Sequence, residues 1–203
     1  MSRLGRAFFS RYTPDVARDL LGSVLIRKIG EKALRSRIVE VEAYRGSDDP
    51  ASHAYRGLTK RTSVMFGEPG HAYVYFSYGN HYLLNLTTEG YGEPGAVLIR
   101  ALEPLEGIEE MSRRRGTLEV TNLTNGPGKL TKALGIDLHL NGEDVVRSKQ
   151  LFLLSGRPVN SVVVSTRIGI SSGQDRPWRY YVEGNAFVSH SRTHNYRTRG
   201  RVG

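Results

Sequence analysis

The chain has 203 residues, of which 38% are hydrophobic, enough for one domain with a sizeable core. Its net charge of +9 lies at the two ends: residues 1–37 carry nine Lys and Arg against three acids, and residues 167–203 carry seven against two. The absence of cysteine excludes disulfides, thiolate zinc sites, iron–sulfur clusters and a cysteine nucleophile, while the basic ends predict a polyanionic partner.

The first residues, MSRLGRAFFSRY, are interrupted by arginines too early for a signal peptide. No apolar run approaches the ~20 residues that a membrane span needs. We therefore expect no membrane partner and a place inside the cell. The cytoplasm of a bacterium is favoured, and the nucleus is the alternative if the source is eukaryotic. A helix is then predicted from Thr13, as its cap, through Pro14 to Gly22, followed by a strand over Ser23–Lys28.

The next predicted strand, Ser36–Tyr44, carries two acids. With a period of two, Ile38, Glu40, Glu42 and Tyr44 share one face. Two acids on one strand face are ordinarily a solvated face. They lead here into a region, from Tyr44 to Tyr91, that holds seven of the eleven tyrosines. A carboxylate beside aromatic side chains would instead favour chemistry on a flat ring.

A β-hairpin is predicted after the polar loop that ends at His53, with strands Ala72–Tyr78 and Tyr82–Thr88. Its register decides which side chains share a face. A two-residue loop would place Tyr75 opposite Leu84, whereas a three-residue loop would place it opposite Asn85. Periodicity alone leaves both registers open.

Residues 90–95 match G-x-G-x-x-G, but a dinucleotide site requires a helix directly afterwards. The following AVLIRAL is typical of a strand, so the motif is interpreted as a turn. Arg100 lies in this apolar strand and needs a carboxylate partner, for which Glu40 and Glu42 are the candidates.

The remaining elements are short. Helices are predicted over Pro104–Arg115 and over LTKALG, which follows the NGPGK sequence, and strands over Leu151–Leu154, Ser161–Ile170 and Trp178–Val182. Together they indicate a mixed α/β (α+β) fold with a largely antiparallel sheet, forming one domain over residues 1–189. Residues 190–203 are predicted to be a basic, partly disordered tail, and the spacing of His190 and His194 is too weak a signal to assign a metal.

Four ordered motifs together resemble the alkyladenine (3-methyladenine or methylpurine) DNA glycosylase family: VEAYRGSDDPASH, YVYFSYGNHYLLN, VLIRALEPLEG and NGPGKLTKALGI. The resemblance extends over residues 6–188. It implies one mixed α/β domain with a curved antiparallel sheet, from which a β-hairpin protrudes into the DNA minor groove. It also implies an enzyme without a cofactor, acting as a monomer on double-stranded DNA.

The resemblance also implies roles for individual residues. Glu42 corresponds to the general base, and Arg100 to the arginine that helps to hold the attacking water. Tyr44 corresponds to the aromatic residue that stacks on one face of the flipped base. Tyr75 and His53 would stack on the other face.

Further positions follow in the same way. Tyr78 corresponds to the side chain that enters the gap in the duplex, and Asn85 to the pocket residue that disfavours guanine. Ile168 would supply a backbone carbonyl to the water. The chain departs from the family at Asn80 and His81, which replace more apolar residues near the hairpin tip.

The implied reaction is monofunctional base excision. Alkylated or deaminated purines (3-methyladenine, 7-methylguanine, hypoxanthine and ethenoadenine) would be flipped out and hydrolysed from the sugar, leaving an abasic site. Two alternatives remain open from the sequence. A non-catalytic minor-groove binder would share the basic ends and the wedge, and an RNA-binding module would share the stacking tyrosines.

Overall fold

A single curled sheet forms the framework of the computed structural model, which describes residues 1–46, 48–77 and 79–189. All strand pairings recorded within these residues are antiparallel, in the order β3-β4-β5-β2-β1-β6, with β8 also joined to β2 and β7 joined to β8. The strands are β1 Val24–Ile29, β2 Lys32–Arg45, β3 Ala72–Ser77, β4 His81–Thr88, β5 Gly95–Glu106, β6 Leu151–Leu154, β7 Val162–Ser165 and β8 Arg179–Val182.

Short helices cover the sheet and enclose the main core. They are α1 Arg6–Phe9, α2 Thr13–Leu20, α3 Ile108–Arg115 and α4 Pro127–Leu134, with one-turn 3-10 helices at His53–Arg56, Ser63–Phe66, Val120–Asn122 and Leu138–Leu140. Helix α2 packs on β2 and β5, and α4 packs on β4, β5 and α3. The buried side chains between them form one large apolar cluster that includes Leu20, Leu86 and Leu134. The mixed α/β class and the antiparallel sheet that the sequence predicted are confirmed.

Strand β2 is the centre of the sheet, and a bulge divides it. Its register against β5 shifts on either side of Glu40. Ile38 packs in the main core together with Val41 and Ala43, so the bulge moves the core-facing positions from even to odd numbers. The predicted common face of Ile38, Glu40 and Glu42 is therefore wrong. The ordinary interpretation of these acids as solvated is also wrong, because both side chains are fully buried.

The hairpin formed by β3 and β4 has a register that neither sequence-based alternative gave. Ser77 pairs with His81, so the three intervening residues are 78–80, and Tyr75 lies opposite Leu83. Tyr73 is the residue directly opposite Asn85. Since side chains two apart on a strand share a face, Tyr75 and Asn85 still lie on the same side of the sheet. Both predicted pairings of Tyr75, with Leu84 and with Asn85, are therefore wrong.

Helix α2 begins differently from the prediction. Thr13 is its first residue rather than its cap, and the side chain at the cap position, Tyr12, makes no capping hydrogen bond. The carboxylate of Glu89 replaces the cap: Oε1 accepts hydrogen bonds from Thr13 N at 2.8 Å and from Thr13 Oγ1 at 2.6 Å. An anion at a helix N-terminus also interacts favourably with the helix dipole.

Two predicted elements were too long. Pro104 and Leu105 belong to β5 rather than to a helix, because Pro104 pairs with Ser36 at another register shift and α3 starts only after Gly107. The strand predicted over Ser161–Ile170 ends at Ser165, and the residues after it form a loop. That loop reaches the site described below.

No helix within the described ranges has the length and apolar character needed to cross a membrane. The predicted tail at 190–203, with His190 and His194, lies outside the described residues.

Candidate active site

Glu42 is a buried carboxylate on β2 that accepts three hydrogen bonds. Its Oε1 accepts the backbone N–H of Ile168 at 2.7 Å, and its Oε2 accepts the hydroxyl of Tyr44 at 2.7 Å and Nη1 of Arg100 at 3.2 Å. An ionised carboxylate offers about four lone-pair positions, two on each oxygen. As far as the described residues bind this carboxylate, one position on Oε1 therefore remains for a further donor.

Arg100 binds both Glu42 and the other acid of the strand, Glu40. These are the two carboxylates that the sequence predicted as candidate partners of Arg100. Its Nε donates to Glu40 Oε1 at 3.0 Å, while Nη1 donates to Glu42. It occupies the position on β5 where the register against β2 shifts, which directs its side chain toward both acids. The two carboxylates raise the pKa of Arg100 despite its burial, so the guanidinium remains charged.

Glu40 has a different environment from Glu42. Its Oε1 also accepts Arg179 Nε at 2.7 Å and Ser189 Oγ at 2.8 Å, and its Oε2 accepts Ser189 N at 2.6 Å. Burial alone would raise the pKa of Glu40, but Arg100, Arg179 and the Ser189 hydrogen bonds outweigh it and hold the pKa below its usual value. Sequence reasoning missed Arg179 and Ser189, which lie far along the chain from Glu40.

Tyr44 follows two residues after Glu42 on the same face of β2. Its hydroxyl is held by the carboxylate, and burial together with the negative charge of Glu42 raises the pKa of this phenol well above its usual value. Tyr44 therefore stays a neutral donor. Its ring is only partly buried, because it forms one wall of a cavity.

That cavity has a volume of about 460 Å³, within the usual range for small-molecule sites. It brings together most of the side chains that the sequence singled out: Tyr44, His53, Tyr75, Asn85 and Arg100 line it, and so does Ile168. Glu42 is absent from the lining within the described residues. Its carboxylate lies directly behind three groups that do line the cavity, namely Tyr44, Arg100 and Ile168.

The wall contributed by β3 and the 3-10 helix at His53 is aromatic. The ring centroids of His53 and Tyr75 are 4.6 Å apart, and those of Tyr73 and Tyr75 are 5.3 Å apart. His53 Nδ1 and the hydroxyl of Tyr73 share a 2.9 Å hydrogen bond. His53 is exposed at the rim, and its ring packs edge-on against Tyr73 and Tyr75. Burial and the nearby Arg61 charge lower the pKa of His53 to about 4.

Tyr73 is a cavity residue that sequence reasoning missed. It lies opposite Asn85 and is 2% exposed, and its carbonyl accepts Asn85 Nδ2 at 3.1 Å. The signal was present in the sequence, since Tyr73 and Tyr75 alternate with period two and must share a face. Asn85 is itself buried, so its amide is held in a fixed direction at the cavity wall.

Ile168 reaches the site, but the contact recorded is its N–H to Glu42 rather than a carbonyl to water. Tyr78 lies outside the described residues, between Ser77 and Gly79.

The comparisons with known proteins agree with one another. The sequence model of the family described as methylpurine-DNA glycosylase (MPG) matches residues 7–186. A protein of Carboxydothermus hydrogenoformans is 50% identical, covering 92% of this chain and 98% of the relative. Proteins of Desulfitobacterium hafniense and Methanocella arvoryzae are 46% and 48% identical, each match covering 93% of this chain and 99% and 96% of the relative. All three carry the name "Putative 3-methyladenine DNA glycosylase".

Proposed function

Because the chain belongs to the methylpurine-DNA glycosylase family, it is an N-glycosylase of DNA repair, and we propose which residues bind and release the base. The observation that carries the proposal is the carboxylate of Glu42, enclosed behind an aromatic cavity by Tyr44, Arg100 and Ile168. Family membership decides against the non-catalytic binder and the RNA-binding module.

The flipped purine stacks between Tyr44 and the wall formed by Tyr75 and His53. Stacking of a base on an aromatic side chain contributes about 1–3 kcal/mol, and an alkylated, cationic purine gains a further cation–π contribution. The low pKa of His53 supports this arrangement, because a neutral imidazole does not repel a cationic base. Asn85 at the cavity wall disfavours guanine by contact with its exocyclic amine.

Glu42 activates the water that attacks C1′ of the sugar. The fourth lone pair of its carboxylate, on Oε1, accepts a proton of the water as the bond to the purine breaks. Arg100 orients the water while its Nη1 donates to the same carboxylate. The negative carboxylate also stabilises the oxocarbenium-like charge that develops on the sugar.

Flipping requires the base to leave the stack, at a cost of about a few kcal/mol. Tyr78, between β3 and β4, offsets part of this cost by entering the vacated space from the minor groove. The enzyme acts as a monomer on duplex DNA. Its relatives come from bacteria and an archaeon, so we place it at the chromosome of a prokaryotic cell.

The reaction ends at the abasic site. A lysine nucleophile would form a Schiff base and allow strand cleavage. The lining of the cavity, as far as the described residues form it, includes no lysine. The substrates are 3-methyladenine, 7-methylguanine, hypoxanthine and ethenoadenine.

The test is base release from duplexes that each contain one of these lesions, with the wild type and Glu42→Gln. Loss of a general base lowers the rate by about 10²–10⁴-fold, so Glu42→Gln should bind lesion DNA but release almost no base. Glu110→Gln is the matched control, because Glu110 is another buried carboxylate paired with arginines, on α3. Wild-type release by Glu42→Gln would overturn the proposed base.

A further inference from the structure

Arg167 and Asp49 form a buried ion pair just outside the cavity. Both side chains are completely enclosed, with Nη1 at 2.5 Å from Asp49 Oδ2 and Nη2 at 2.8 Å from Oδ1. This two-pronged geometry is the most restrictive way in which a guanidinium can bind a carboxylate. The pair therefore fixes the relative positions of the two loops that carry its members.

The remaining hydrogen bonds of Arg167 extend this connection to a third segment. Nη1 donates to the carbonyl of Ala43 at 3.0 Å, and Nη2 donates to the carbonyl of Gly173 at 3.0 Å. Ala43 lies between Glu42 and Tyr44 on β2, and Asp49 lies on the loop that leads to His53. One guanidinium thus ties together three of the segments that build the cavity.

The guanidinium also lies over two aromatic rings. Its central carbon lies 4.7 Å from the ring centroid of Tyr44 and 5.3 Å from that of Trp178. Tyr44 lines the cavity, whereas Arg167 and Trp178 do not. Arg167 therefore covers the face of Tyr44 that points away from the cavity, and it sets the plane of the ring on which a base would stack.

The residue after Arg167 completes the arrangement. Ile168 donates its N–H to Glu42, so a shift of Arg167 would move this donor and Tyr44 together. A contribution to stability does not explain why the pair is present, because a buried ion pair is often no more stabilising than apolar side chains of similar size. In addition, Nε of Arg167 is buried without a hydrogen-bond partner among the described residues.

We propose that the Arg167–Asp49 pair is a positioning element for the glycosylase reaction. It holds the stacking ring of Tyr44 and the carboxylate of Glu42 in one fixed relation, so that a stacked purine has its sugar in front of the base catalyst. Neither residue touches the substrate. The inference rests on the proposed roles of Tyr44 and Glu42 and assigns what sets their geometry.

The test separates a positioning role from a stabilising role by comparing single variants with a double variant in which both members of the pair are uncharged. In Asp49→Asn the guanidinium is left uncompensated, and in Arg167→Lys the two-pronged contact and the stack are lost. In the double variant Arg167→Met/Asp49→Asn neither charge of the pair remains. The new amide oxygen can still accept one of the two backbone N–H groups, of Arg45 and Ala51, that Asp49 binds at 3.2 Å. The double variant should therefore melt at a higher temperature than Asp49→Asn.

Single-turnover base release is measured with saturating enzyme, at a temperature where circular dichroism shows each variant folded. A misplacement of about 1 Å can cost about 10²-fold in rate, so Arg167→Lys and the double variant should be 10- to 100-fold slower than wild type. The enzyme concentration that gives half the maximal rate should change much less. Asp144→Asn is the control, since Asp144 pairs with Arg6 at 2.6 Å away from the cavity, and its rate should stay at the wild-type value.

The result that would overturn the inference is a double variant that is stable and cleaves at the wild-type rate. The inference would also be overturned if the variants kept the maximal rate of the wild type and only the enzyme concentration that gives half of that rate increased. These outcomes differ from failure of the proposed function, in which the wild type itself releases no base or Glu42→Gln remains fully active.

Discussion

Glu40 and Glu42 lie two residues apart on one strand, are equally buried and share Arg100, yet their surroundings differ. Among the described residues Glu40 receives four donors, two guanidinium groups and two groups of Ser189, and of these only Arg100 lines the cavity. Within the same residues Glu42 receives three donors, of which Arg100 alone is charged, and all three line the cavity. The environment thus ties Glu40 to the segments that carry Arg179 and Ser189, and it places all the recorded donors of Glu42 at the cavity.

Removing the shared arginine should have the largest effect on both acids. Arg100→Gln leaves two buried carboxylates with less positive charge, and removing one partner of a buried ion pair costs about 3–5 kcal/mol. We expect a loss of stability toward the upper end of this range in urea unfolding. A loss of less than about 1 kcal/mol would show that Arg179 and the neutral donors suffice for both carboxylates.

Glu40→Gln should cost less stability, about 3 kcal/mol, because Arg100 keeps Glu42 as a partner and only Arg179 is left without a carboxylate. It should also change how the free energy of unfolding depends on pH in the acid range. The pKa of Glu40 is lower in the folded than in the unfolded chain, so its contribution is present above about 4.5 and is lost as the pH falls through the folded value.

Urea unfolding as a function of pH measures this effect. The wild type should lose stability between pH 4.5 and more acidic values, and the part of this loss that Glu40 causes should disappear in Glu40→Gln. Identical pH slopes in the two proteins would contradict the role given to Glu40 in the folded chain.

Tyr44→Phe should sharpen the contrast by removing one donor from Glu42 while keeping the stacking ring. A hydrogen bond to a charged group contributes about 1.5–3 kcal/mol, and about 1.4 kcal/mol corresponds to a tenfold change in rate. We expect base release to slow about tenfold, with little change in affinity for lesion DNA. Weaker binding at an unchanged rate would mean that the hydroxyl serves the base rather than Glu42.

The smallest expected effect concerns the opposite wall of the cavity. His53 has a pKa of about 4, so the folded chain resists its protonation and loses stability as the pH falls from about 6.5 toward 4. Burial is the main cause and Arg61 the second. In Arg61→Gln an NMR titration of the imidazole should therefore give a higher pKa, still below 6.5, and an unchanged value would exclude the charge of Arg61 as a cause.

Local patterns predicted the parts of the fold that depend on neighbours in sequence. The two hairpin strands follow from a period of two, and the need of Arg100 for a carboxylate follows from the cost of a buried charge. The bulge at Glu40 could not be predicted, because the same letters fit an unbroken strand until a partner strand fixes the register.

The contacts of Arg167 with Asp49 and of Arg179 with Glu40 could not be predicted from the sequence either. They join segments that only the folded chain brings together, and nothing in the local composition marks one arginine rather than another. Of the two contacts, the one between Arg179 and Glu40 is part of what distinguishes the two acids.

The most direct test of that distinction is a comparison of single-turnover base release by Glu40→Gln and Glu42→Gln on the same lesion duplex, at temperatures where both are folded. If Glu42 alone accepts the proton of the water, base release by Glu42→Gln should be slower than that by Glu40→Gln by about 10²-fold or more, within the range of general-base catalysis. Equal losses of rate in the two variants would contradict the account.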